Sequence, residues 1–206
     1  MCAAPFSMCH AMTCKKGGLI SRRHNIIAEV LIDWCKKLKP ASSVRSEPHI
    51  YPPGSTFPDA NLTRGDVSVF GFWESQTEAI FDVQVVHTEA PSLLARPPAS
   101  ILKSREASKK GKYRKILEEQ RKHFSPFVCS TDGVFADEAS AIINHLAGDL
   151  AAKWERPYSI VVSQLRTSLS FALVRSAYQC AFNPRSNLAR DWDLFEDGAA
   201  IPPLTA

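Results

Sequence analysis

No apolar run in this 206-residue chain comes near the roughly 18 residues that a membrane-spanning helix needs. The opening stretch, MCAAPFSMCHAMTCKK, lacks the basic-then-apolar order of a secretory signal. Six cysteines are present, three crowded near the start and three scattered, which is too sparse and irregular for a disulfide framework. Reduced thiols and an intracellular location are therefore expected. Neither sign of charge dominates: the net charge is +4, so the average says little about partners. No internal repeat and no second-domain boundary is visible. What is there is an ordinary globular composition, 45% hydrophobic and 22% charged, in a chain long enough for one sizeable core.

The first periodic element is RRHNIIAEVLIDWCKKLKP. Its Ile26, Ile27, Val30, Leu31, Trp34 and Leu38 recur at helical spacing, and Pro40 stops it. In VRSEPHIYPPGSTFPDANLTRG the start can form a short strand, and the Pro-, Gly- and Asn-rich remainder reads as loop. Two strands follow around a polar turn, RGDVSVFGFWESQTEAIFDVQV. After the proline-rich loop TEAPSLLARPPAS, residues 101 to about 123 are helical and very basic. SPFVCST resembles a short buried strand. A helix is predicted from about residue 136 to Pro157, and a second helical run carries Val161, Val162, Leu165, Leu169, Ala172 and Leu173. Residues 183–206 lack periodicity and read as a flexible tail. The order helix, three strands, helix, strand, helices predicts an α/β domain with a small mixed sheet.

The two strands each carry one aspartate among apolar residues. Side chains alternate along a strand, so Val67 and Val69 share one face and Asp66 and Ser68 the other. On the second strand Phe81, Val83 and Val85 share a face, opposite Asp82 and Gln84. With the turn centred near Glu74, Asp66 falls opposite Asp82 on the same face. Like charges in that position repel. Three readings stand. Either both aspartates are solvated on an exposed sheet face, or one of them pairs with Arg64, or a hard divalent cation such as Mg²⁺ sits between them.

Positive charge concentrates in KSREASKKGKYRKILEEQRKH, where Lys103, Arg105, Lys109, Lys110, Lys112, Arg114, Lys115, Arg121 and Lys122 outnumber Glu106, Glu118 and Glu119. A phosphate backbone is one partner for such a cluster; a solvated helix face is the other reading. Gly111 weakens the helix interior and marks a start or a kink. Because this helix follows the second aspartate strand, one of its lysines can reach the carboxylate pair.

Taken in order, these pieces resemble the PD-(D/E)XK nuclease core. More narrowly, the chain resembles the restriction-enzyme-like endonuclease region at the C-terminal end of non-LTR retrotransposon polyproteins. CHAMTCKKGGLISRRHN resembles its His/Cys knuckle and the opening of its first helix. RGDV resembles its Lys/Arg-Pro-Asp motif, with Gly65 in place of the proline, and FDVQVV resembles its second acidic strand. KKGKY matches a Lys-x-x-Lys-Tyr pattern at Lys109, Lys112 and Tyr113. FSPFVCSTDG and LAAKWERPYS…LRTSLSFALVRSA resemble its C-terminal half, so the likeness spans roughly residues 2 to 182.

The resemblance implies a nuclease-like domain over residues 24–182, preceded by a zinc-knuckle remnant over 1–23. It implies metal-dependent hydrolysis of DNA, with Asp66, Asp82 and the Val83 carbonyl holding Mg²⁺ or Mn²⁺. Lys109 or Lys112 would stabilise developing charge, since Gln84 stands where a simple Asp-x-Lys would have its lysine. Glu29 would hold a second metal or water, or else lie on the exposed face of its helix. Gln84 and Tyr113 would orient, with packing the alternative for Tyr113. Lys103, Arg105, Lys110, Arg114 and Lys115 would contact DNA, and RNA is a further candidate partner. The implied location is nuclear. No polymerase precedes the domain, so a detached piece, active or dead, is expected.

At the N-terminus Cys2, Cys9, His10 and Cys14 are candidate Zn²⁺ ligands, with His24 a substitute; a frayed end with free thiols is the other reading. His87 is expected either near the phosphate or as an ordinary loop histidine, and His145 and Trp154 as packing residues. Three functions follow: a nuclease, a non-catalytic nucleic-acid-binding module, or a protein-interaction domain.

Overall fold

The computed structural model describes residues 6–51 and 64–182, apart from the side chains of 114–116, 118 and 119. Among these residues the elements are α1 (Met8–Thr13), α2 (Leu19–Leu38), a 3-10 turn (Ala41–Ser43), β1 (Val44–Ser46), β2 (Val67–Phe70), β3 (Glu78–Val86), α3 (Pro98–Glu119), β4 (Lys122–Ser130), α4 (Asp137–Trp154) and α5 (Tyr158–Phe182). This is an α/β fold with a four-stranded mixed sheet in the order β1-β2-β3-β4. The pairs β1–β2 and β2–β3 are antiparallel, whereas β3–β4 is parallel and is bridged by α3.

Both sheet faces are covered. Val67, Val69, Phe81, Val83, Phe127 and Cys129 point at one layer, built by α2, α4 and α5. From α2 that layer takes Ile27, Ala28, Leu31, Trp34 and Cys35, an apolar stripe at helical spacing. From α5 it takes Val161, Leu165, Leu169 and Leu173. On the other face Ile80 meets Tyr113 and Leu117 of α3, and Val86 and Val128 meet Ile101 and Leu102. The alternation along β3 therefore divides its residues between two cores.

Several boundaries differ from the sequence reading. α2 begins at Leu19, where Gly18 adopts the left-handed conformation that ends the preceding turn. Leu19 packs with Met12 and Cys180, so the described part of the expected N-terminal segment, residues 6–23, does not stand apart from the rest. α3 begins at Pro98, a residue suited to a helix's first turn, and runs on through Gly111. It ends at Glu119 rather than near residue 123. Arg121 takes a left-handed turn, and Lys122 and His123 open β4. Parallel pairing with β3 over the whole strand overrides their polar character, and Lys122 Nζ meets Glu78 Oε2 at 3.1 Å. Pro126 is tolerated because β4 lies at the sheet edge.

Ala136, at the N-cap of α4, supplies no capping side chain. Glu106 of α3 substitutes for it, accepting the Glu138 N–H at 2.8 Å, and Lys110 pairs with the Glu138 carboxylate. The basic helix is thereby locked across the sheet. His145 Nε2–H donates to the Phe72 carbonyl at 2.8 Å, and Trp154 lies beside Trp34 with ring centres 6.1 Å apart, both in packing roles. His87 is buried and bonds Thr131 Oγ1 at 3.1 Å, tying the ends of β3 and β4 together.

Candidate active site

The β2–β3 register pairs Val67 with Phe81 and Val69 with Ala79, so the turn centre predicted at Glu74 holds. Asp66 immediately precedes β2 and bonds β3 on both sides of Asp82. Its N–H donates to the Phe81 carbonyl at 3.0 Å, and its Oδ2 accepts the Val83 N–H at 2.5 Å. The two carboxyl groups lie within hydrogen-bonding reach of each other.

Gly65 is what lets the chain come this close. A Cβ at that position would meet Ile80 Cγ2 at 2.5 Å. Ile80 is fully buried and has no room to yield. The position where the resembled motif carries proline is thus one where this fold has no space for a side chain.

Two cationic groups converge on the pair from different layers. Lys109 of α3 places Nζ 2.6 Å from Asp82 Oδ2. His24 of α2 places Nε2 2.9 Å from Asp66 Oδ1. Asp82 is buried, with 6% of its surface exposed. Burial pushes its carboxyl up to about 6, the Lys109 charge works against that rise, and Asp66 adds to it. His24 is shifted upward, chiefly by its hydrogen bond to Asp66. Gln84 lies two residues beyond Asp82 on the same face of β3 and is half-buried.

Lys112 lies one helical turn from Lys109 and stays exposed, its ammonium 4.8 Å from the centre of the Tyr113 ring. Its pKa is raised, first by the hydrogen bond to Tyr113 and less by the charge of Asp82. Lys109 is the lysine that the fold delivers to the carboxylates. Tyr113 itself is buried against Phe124, with ring centres 5.1 Å apart, and against Ile80 and Leu117. Its ring is a packing element of the α3 face, the alternative that the sequence left open for it.

Glu29 takes the alternative expected for it, the exposed face of its helix. It is exposed and lines a groove between α2 and α5 with Arg22, Asn25, Asp33, Ser168 and Arg175. Five residues after His24, it falls on a different side of α2 from the carboxylate pair. Val83 serves the pair through its N–H to Asp66.

The other expected residues scatter. Lys103 and Arg105 are exposed on α3, while Lys110 is engaged by Glu138. Arg114 and Lys115 lie on α3, with side chains outside the described residues. Of the zinc candidates, Cys2 lies outside the described residues. Cys9 and His10 lie in α1, with Cys9 Sγ 3.9 Å from the Glu89 carbonyl, and Cys14 is buried just after it. Among the described residues, no three His, Cys, Asp or Glu side chains gather into a metal-binding group. His24, named in the sequence only as a substitute zinc ligand, faces Asp66 instead. The signal for its placement was its spacing: His24 precedes Ile27, Ala28 and Leu31 on the core-facing stripe of α2.

Fold and site together define an α/β domain with a carboxylate pair at a strand junction, Asp82 buried and Asp66 half-buried, and a lysine delivered by the crossover helix. Comparison of the chain with protein-family models and with curated proteins finds no match.

Proposed function

We propose that this chain is a metal-dependent DNA endonuclease domain with a PD-(D/E)XK-type core, of retrotransposon origin. One observation carries the reading: Asp66 and Asp82 meet at the β2–β3 junction with the Lys109 ammonium 2.6 Å from Asp82. The element order of α2, the β1–β3 meander, α3 and β4 agrees with such a core.

The pair suits a hard divalent cation. Carboxylate oxygens are the donors Mg²⁺ and Mn²⁺ prefer. Two like charges with Asp82 buried form a site that a cation stabilises. Asp66 and Asp82 would hold the ion. When bound, it supplies Lewis acidity for activating water and polarising the scissile phosphate. The Val83 N–H keeps Asp66 turned toward Asp82. Lys109 offsets negative charge as it develops on the phosphate. Gln84, on the same strand face, offers an amide to orient water or phosphate. Lys103 and Arg105, exposed on α3, supply sequence-independent attraction to the DNA backbone.

The test is cleavage of supercoiled plasmid by the purified chain in Mg²⁺, in Mn²⁺ and in EDTA. Nicked or linear product is expected only with metal, and none from Asp66→Ala or Asp82→Ala. Cleavage that persists in EDTA, or in both variants, overturns the proposal.

A second reading is a non-catalytic nucleic-acid-binding module on the same scaffold. It is favoured by the fact that Lys109 and His24 already pair with the two aspartates. It predicts salt-sensitive binding of DNA or RNA without cleavage, weakened by removing Lys103 and Arg105.

A further inference from the structure

Among the described residues, His24 is the contact to the carboxylate pair that comes from the α2–α4–α5 layer; Lys109 arrives from the opposite side of the sheet. The ring is half-buried, with 31% of the side chain exposed, and Asp66 retains 19%. An ion pair this accessible adds little to folding. Its geometric effect is larger. A carboxylate has about four lone-pair sites. His24 occupies one on Oδ1 and the Val83 N–H occupies one on Oδ2. Asp66 is thus held from two directions.

The contacting atom also decides what the histidine does. Nε2 is the ring nitrogen far from the main chain, and it is spent on Asp66. Through that atom the ring acts on Asp66.

We infer that His24 is a positioning residue that holds Asp66 in the orientation needed to ligate a divalent cation together with Asp82. This rests on the metal-dependent reading above. Partners of this kind, which hydrogen-bond a metal ligand without touching the metal, cost about 10–100-fold in affinity when removed.

The experiment titrates the full-length chain with Mn²⁺ and follows unbound ion by electron paramagnetic resonance. His24→Ala, His24→Gln and Asp82→Asn are compared with the unaltered chain, and thermal melting checks that each folds. His24→Ala is expected to weaken Mn²⁺ binding about 10–100-fold. His24→Gln, whose amide can donate from nearly the Nε2 position, is expected to stay within a few-fold of the unaltered chain. Equal affinity in His24→Ala and the unaltered chain overturns the inference. So does equal loss in His24→Ala and His24→Gln, which would mean that the ring acts through packing. His24-dependent Mn²⁺ binding without plasmid cleavage sustains the inference and removes the nuclease reading. Plasmid cleavage that His24→Ala leaves unchanged, with Mn²⁺ affinity also unchanged, does the reverse. If the unaltered chain takes up no Mn²⁺, both fall.

Discussion

Asp66 straddles Asp82. Its amide bonds the residue before Asp82 and its carboxylate bonds the amide of the residue after it. The two acids are consequently held together by main-chain geometry as well as by the sheet register. Their mutual repulsion is built into the fold, and four predictions follow from how the surroundings relieve it or make room for it.

Asp82 is held above its ordinary value, at about 6, mainly by burial. The native state therefore binds this proton more tightly than the unfolded chain does. The contribution to stability is fully present below about pH 4 and is lost as pH rises through about 6. Between those limits it amounts to something on the order of 3 kcal/mol. Metal-free thermal melts of the unaltered chain should fall relative to those of Asp82→Asn across that window. Parallel profiles would show that Asp82 is not perturbed.

The same linkage governs metal. A cation held by the pair as proposed would bind its deprotonated form and so stabilise the native state by mass action. Added Mg²⁺ should raise the melting temperature at pH 8 and leave it unchanged at pH 5. In Asp82→Asn it should do nothing at either pH. A shift of equal size at pH 5 and pH 8 would place the ion elsewhere.

Lys109 and Lys112 should separate cleanly. Lys109→Ala leaves the Asp82 carboxylate buried without its partner and should cost about 1–3 kcal/mol at pH 8. The cost should shrink at pH 4.5, where Asp82 is protonated. Lys112→Ala removes an exposed side chain and should change stability by less than about 0.5 kcal/mol. Denaturant unfolding at the two pH values measures both.

Two glycines should respond in opposite directions. Gly65→Ala drives a methyl group toward Ile80 and should destabilise by about 1–3 kcal/mol. It should also loosen Asp66 and weaken metal binding. At Gly111 nothing lies within 4 Å of an added Cβ, inside a continuous helix. Gly111→Ala should stabilise by about 0.5–1 kcal/mol. Chemical denaturation of the pair of variants is the check.

Much of the fold was readable along the chain because its signals are short-range. The polar turn around Glu74 and the alternation on both strands were enough to set the β2–β3 register. They also placed the valines with Phe81 on one face and Asp82 on the other. The helical period in α2, α4 and α5 marked their buried stripes. β4 was harder, since Lys122 and His123 look like the end of a basic helix until β3 pairs with them.

The candidate site was readable only in part. Asp66, Asp82 and a lysine from the following helix were legible from strand alternation and element order. The choice of Lys109 over Lys112 depends on the angle at which α3 crosses the sheet, set by Leu117, Tyr113 and Ile101 against β3 and β4. Glu29 and His24 exchange importance because the rotation of α2 about its axis is decided by its packing on β2, β3 and α5.

By itself, the sequence determined the elements, the hairpin register and the facing acids, since residue periodicity and turn chemistry act over a few positions. Only the tertiary structure decided which cations reach those acids, that Gly65 has no room for a side chain, and that Tyr113 packs inward. Those outcomes depend on how two helix layers seat against opposite faces of one sheet. Contacts between residues dozens of positions apart leave no periodic trace in the chain.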